Sequence, residues 1–126
     1  MSRLTFAFPI ATLAILAALA TTADAQSTGG DQLFRQRCAS CHSIATGGAP
    51  GPIAPNLRGV VGRAAGSTGF KNYSPALKAA KLVWTKANLD KFLTAPGKLV
   101  PGTRMVIAVS DPAQRAAILA YLSAQR

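Results

Sequence analysis

Five consecutive residues, Cys38-Ala39-Ser40-Cys41-His42, have the types and spacing to do chemistry. Two cysteines three positions apart lie on the same side of a helix, where each sulfur can form a thioether with one of the two vinyl groups on a porphyrin edge. His42, four positions after Cys38, falls on that side too and can reach under the ring to offer a nitrogen to iron. The spacing therefore predicts covalent haem attachment that also selects one axial ligand. Other uses of these residues fit less well. A zinc site needs four ligands, and beyond residue 25 the candidates are Cys38, Cys41, His42 and three aspartates; adjacent Cys and His rarely close one tetrahedron. A thioredoxin-like pair needs a βαβ setting, whereas Cys38 sits between a helical pattern and a glycine-rich loop. A structural disulfide, with His42 an ordinary half-buried histidine, is the plain alternative.

The opposite side of the iron is argued by elimination. If Met1 leaves with a leader, Met105 is the only methionine, and His42 is the only histidine. Met105 follows Pro101-Gly102, a pair suited to a turn that aims a thioether inward. Soft sulfur at that position favours ferrous iron and raises the potential. In a chain without haem the same methionine would be core filler.

The elements that must position these groups are helical. Leu33, Phe34 and Cys38 repeat at helical spacing within Gly30 to Cys41. Glycines and prolines break any regular element from Thr46 to Gly69. Ser74-Pro75 predicts a capped short helix through Ala80, and Thr85 caps a second, with Leu89, Phe92 and Leu93 on one face and a stop before Pro96. Asp111-Pro112 opens the last helix, whose Ile118, Leu119 and Leu122 form an apolar face beside Tyr121. No strand pattern competes, and no repeat is evident.

Residues 1–25 read as an address. Arg3 supplies a positive start, Leu4 to Ala20 carries no charge, and Ala23-Asp24-Ala25 has the small-x-small form of a cleavage site, so residues 26–126 form the expected mature domain. An uncleaved anchor is the alternative. Either way the chain is expected in an exported, periplasmic setting, where an unused cysteine pair would oxidise. The remaining 101 residues suffice for one small domain whose core would be marginal without a large apolar group at its centre. Losing Arg3 and Asp24 leaves 13 basic and 3 acidic residues, a formal charge of +10. Such a bias concerns partners rather than fold. It suits an acidic protein patch or an anionic membrane surface; nucleic acid is a poor match for an exported chain.

Taken together, the residues resemble the class I cytochromes c, especially mitochondrial cytochrome c and its bacterial counterparts. The likeness runs from Gly30 and Phe34 through Cys38-Ala39-Ser40-Cys41-His42, Ala54-Pro55-Asn56-Leu57, Gly62-Arg63, Gly69-Phe70, Tyr73-Ser74, Trp84 and Pro101-Gly102-Thr103-Arg104-Met105 to Ala120-Tyr121-Leu122. It implies an all-α fold of short helices and loops around one covalent haem c, with the first and last helices crossed at Gly30, Phe34 and Tyr121. It further implies iron ligation by His42 and Met105, and a Pro55 carbonyl that accepts the other imidazole proton. Tyr73 and Trp84 would donate to the haem propionates, Arg63 would supply positive charge beside them, and Thr103 would close the methionine side. The sequence departs from the mitochondrial pattern at Phe92, where a tyrosine is usual, at Leu77 for asparagine, at Ile107 for an aromatic residue, and at Gly97 and Asp111 for lysines. The expected function is one-electron transfer by a monomeric, non-enzymatic carrier; a haem enzyme or gas-binding protein with a labile sixth ligand is the alternative.

Overall fold

The computed structural model describes residues 22–126, with side chains from Gly29 onward. Most of the expected leader, residues 1–21, lies outside the described residues. The junction expected after Ala25 falls inside α1 (Thr22–Arg37). Four further helices follow, α2 (Pro75–Ala79), α3 (Lys86–Thr94), α4 (Pro96–Leu99) and α5 (Pro112–Ala124). Among the described residues there is no strand, only an isolated antiparallel bridge between Ala64 and Val83.

The helix starts follow from their caps. Ser74 Oγ accepts from Leu77 N at 3.1 Å, Thr85 Oγ1 from Asn88 N at 3.1 Å, and Asp111 Oδ1 from Ala113 N at 2.8 Å, each satisfying an otherwise orphaned first-turn donor. Pro75 and Pro112 occupy first-turn positions, where no amide hydrogen is needed. Pro96 ends α3 as expected and then starts α4, a single turn that the sequence pattern does not announce.

α1 and α5 pack across each other. Gly30 makes the crossing close: a Cβ there would overlap the Ala117 carbonyl oxygen and lie 2.7 Å from Tyr121 Cβ. One turn on, the Phe34 and Tyr121 rings meet with centroids 5.5 Å apart. The core continues from Phe34 through Ile118 and Leu122 to Leu89, Phe92 and Trp84, so all three long helices bury the faces their spacing predicts. Both ends of α1 differ from the expected Gly30 to Cys41: the helix already runs from Thr22, and it ends early. The expected helix through Cys41 stops at Arg37, because the Phe34 carbonyl accepts from both Cys38 N (2.8 Å) and Ala39 N (3.0 Å), a widening that closes the helix.

Candidate haem site

Beyond α1 the chain makes one further hydrogen-bonded turn. Cys38 O accepts from Cys41 N at 3.0 Å and from His42 N at 2.8 Å, so the five-residue motif keeps helical hydrogen bonding although it lies outside the helix. Both cysteines are free and half-buried, which rules out the disulfide in this structure. Burial pushes the Cys38 thiol up to about 11, against the opposing pull of Arg37, with Cys41 adding to the rise. At neutral pH this sulfur is a protonated thiol in an apolar setting.

His42 is held from behind. Its Nδ1 lies 2.8 Å from the Pro55 carbonyl oxygen, so Nδ1 carries the proton and Nε2 is left with its lone pair. Burial lowers the pKa of the ring, and the bond to Pro55 partly restores it. The neutral imidazole that a metal needs is therefore the favoured form.

The loop carrying Pro55 is braced by residues to which the sequence reading assigned no role. Asn56 is buried; its amide nitrogen donates to Ala49 O at 2.7 Å and Ala45 O at 3.0 Å, while its oxygen accepts from Arg58 N at 2.7 Å. Gly51 presses on the motif itself, since a Cβ there would overlap Cys41 O and come 2.7 Å from His42 Cα. A Pro-Asn pair inside a glycine-rich loop is the available signal for the first, but nothing local marks the second.

Arg63 also serves this loop. Its guanidinium donates to Arg58 O at 3.0 Å and Asn56 O at 2.9 Å, and no carboxylate pairs with it among the described residues. Its charge is thus uncompensated, as a propionate neighbour would require. Tyr73 is buried with its hydroxyl 2.6 Å from Thr68 Oγ1. Trp84 is buried against Phe92, ring centroids 4.9 Å apart, while its indole N–H, which keeps contact with solvent, meets no acceptor among the described residues.

Met105 approaches from the other end of the chain, half-buried against the core. Gly102 turns the backbone with φ +90°, a conformation that L side chains avoid, and sits close enough to α2 that a Cβ would lie 3.1 Å from Ala76 Cβ. Thr103 Oγ1 accepts from Met105 N at 3.4 Å, and Arg104 Nη1 donates to Asn72 O at 2.7 Å, tying this loop to the one that holds Tyr73. An open cleft of about 380 Å³ lies between Gln36 and Arg37, just ahead of Cys38, and Ile107, two residues past Met105. The donor set fits a covalent haem: two free thiols, an imidazole with only Nε2 available, a soft thioether, and an indole donor and a guanidinium without anionic partners.

A family model described as cytochrome c matches residues 27–125. The chain belongs to the cytochrome c family. Membership implies a covalently bound haem c with iron. Cytochrome c2 from Rhodomicrobium vannielii is 41% identical over 114 residues, covering 86% of this chain and 90% of its own. Cytochrome c2 from Agrobacterium tumefaciens is 42% identical over 97 residues, covering 74% and 86%. Among solved structures, cytochrome cH from Methylobacterium extorquens superposes with a TM-score of 0.68 at 38% identity, covering 77% of this chain and 96% of its own. The all-α cytochrome c fold with crossed terminal helices is therefore the fold of this chain.

Proposed function

We propose that this cytochrome c is a diffusible, monomeric one-electron carrier of the periplasm, with His42 and Met105 as axial ligands and Cys38 and Cys41 as thioether anchors. When bound, haem supplies the one-electron couple. The protein's part is to hold both axial donors still, so that little reorganises on electron transfer. The observation that carries this reading is the hydrogen bond from His42 Nδ1 to Pro55 O beside two free cysteines, because it sets both the tautomer and the orientation of the imidazole. On the far side Thr103 and Arg104 brace Met105. Trp84, Tyr73 and Arg63 supply two donors and a charge suited to the propionates.

Charge supports diffusive encounter with acidic partners, such as a membrane oxidase, a reductase complex or a periplasmic dehydrogenase. Asp31 pairs with Arg35, Asp90 with Arg115, and Asp111 caps α5, so every carboxylate of the expected mature chain is already engaged. Arg37, Lys71, Lys98 and Arg104 are exposed and unopposed by acids; Arg37 and Arg104 adjoin Cys38 and Met105 in the chain, Lys98 precedes the Met105 loop, and Lys71 adjoins Asn72, whose carbonyl Arg104 binds. Arg35, two residues before Arg37, is partly neutralised by Asp31. The same charge suits transient contact with an anionic membrane surface.

Absorption spectra of the purified protein, oxidised and reduced, test the reading together with Met105→Ala. Wild type is expected to be low-spin in both states with haem retained after denaturation. Met105→Ala is expected to keep the haem, turn high-spin when ferric, and bind carbon monoxide when ferrous. A high-spin wild type would instead favour a haem enzyme or gas binder, and an unchanged variant would remove Met105 from the iron.

A further inference from the structure

Arg115, on α5, is the one charged residue buried among the described residues, at 9% exposure, and it takes no part in the haem site's donor set. Its Nε donates to Asp90 Oδ1 at 2.8 Å on α3, and its Nη1 donates to Val109 O at 2.9 Å and Ser110 O at 2.8 Å. Val109 N in turn donates to Leu93 O at 2.8 Å, also on α3. A buried guanidinium thus clamps one end of the loop that carries Met105. Between Met105 and that clamp the backbone has no tie of its own: residues 106–108 make no backbone hydrogen bond among the described residues.

A loop tied at two ends with a loose middle puts its cargo wherever the ties put it. One tie is the Thr103 and Arg104 side; the other is Val109 and Ser110. We propose that Arg115, oriented by Asp90, is a positioning residue for Met105, holding the loop so that the thioether stays seated against the site. The inference rests on the reading of Met105 as the sixth ligand. Without the guanidinium, two carbonyls and a carboxylate lose their charged donor, the clamp relaxes, and Met105 yields more readily to an external ligand.

The experiment titrates ferric holoprotein with imidazole and follows the sulfur-to-iron charge-transfer band, in wild type, Arg115→Met, Arg115→Lys, Asp90→Asn, Met105→Ala and Leu119→Ala. Arg115→Met is expected to keep its haem, to bind imidazole on the order of tenfold more tightly, as the loss of a charge-assisted anchor implies, and to show a weakened band. Lysine cannot reach all three acceptors at once, so Arg115→Lys should fall between wild type and Arg115→Met, and Asp90→Asn should give a smaller rise. Leu119→Ala removes core volume from the same helix and takes none of the clamp's hydrogen bonds with it, and is expected to lower thermal stability while leaving imidazole affinity as in wild type. Wild-type affinity in Arg115→Met, or an equal rise in Leu119→Ala, overturns the proposal. If Arg115→Met does not fold, wild-type affinity in both Arg115→Lys and Asp90→Asn overturns it. Met105→Ala separates the two claims: a large rise there with none at Arg115 sinks the clamp alone, whereas no change there sinks the ligand assignment and the clamp with it.

Discussion

Asn56 does at the scale of one side chain what a longer loop would otherwise need several residues to do. Its amide bonds draw the backbone at Ala45 and Ala49 toward the turn that presents Pro55, and through Pro55 they aim His42. Truncation leaves two carbonyls of exposed residues and the half-buried Arg58 amide without their partner, all within reach of water. Asn56→Ala is therefore expected to lower the unfolding free energy of the holoprotein by about 1–2 kcal/mol, the net worth of the lost hydrogen bonds, while haem remains attached. Guanidinium denaturation followed by circular dichroism would measure it, and an unchanged midpoint would mean the loop holds its shape without this amide. Gly51 acts through the atom it lacks. Since any Cβ there meets the Cys41 carbonyl, Gly51→Ala must shift the motif backbone, and a lower yield of haem-loaded protein than wild type is the expected outcome of parallel expression.

At the scale of elements, the crossing of α1 and α5 places the cysteine motif relative to the core. The cross depends on a missing side chain and a tilted aromatic pair: Gly30 lets the helix backbones meet at Ala117, and Phe34 packs on Tyr121. Gly30→Ala would gain helix propensity but force the helices apart, and the second effect wins because the clash is with backbone, which cannot swing away. The expected result is a net loss of about 1–3 kcal/mol on chemical denaturation; a stabilised variant would show that α1 can slide along α5. Asp111 caps α5 with bonds to Ala113 N and Gln114 N, and Asp111→Ala should cost about 1 kcal/mol in the same assay.

For the whole molecule, helices this short need a shared centre. α2 and α4 have one turn or little more, and long glycine-rich connections carry the rest of the chain. The double variant Cys38→Ala with Cys41→Ala, prepared without haem, is expected to lack a cooperative helical transition by circular dichroism, because so small a domain buries too little against the entropy of ordering it. A native-like cooperative melt would contradict this. The unbalanced charge has its own consequence. Electron exchange with an acidic redox protein should slow as ionic strength rises, since at physiological salt charges act over only about 8 Å. It should also slow in Lys98→Glu with Arg104→Glu, and rates indifferent to both would leave the basic face as a merely solvated surface.

Local pattern carried far in this chain. The capping residues Ser74, Thr85 and Asp111, the apolar faces of α3 and α5, and the Cys38 to His42 spacing are all short-range features, and the structure uses the caps and faces as their periodicity implies. The crossed helices and the Pro55 carbonyl were expected from family resemblance, since no spacing rule links residue 42 to residue 55. Which residues could bind, cap or bury was thus legible in the chain alone. Which distant groups meet was not: that α1 stops at Arg37 because one carbonyl takes two donors, that Asn56 and Gly51 brace the motif, and that Arg115 reaches from α5 to α3 and to the loop bearing Met105 all depend on the folded chain. Caps and periodicity act within a turn or two of the chain. A buried guanidinium or a missing Cβ, by contrast, acts on whatever the fold brings within a few ångströms of it.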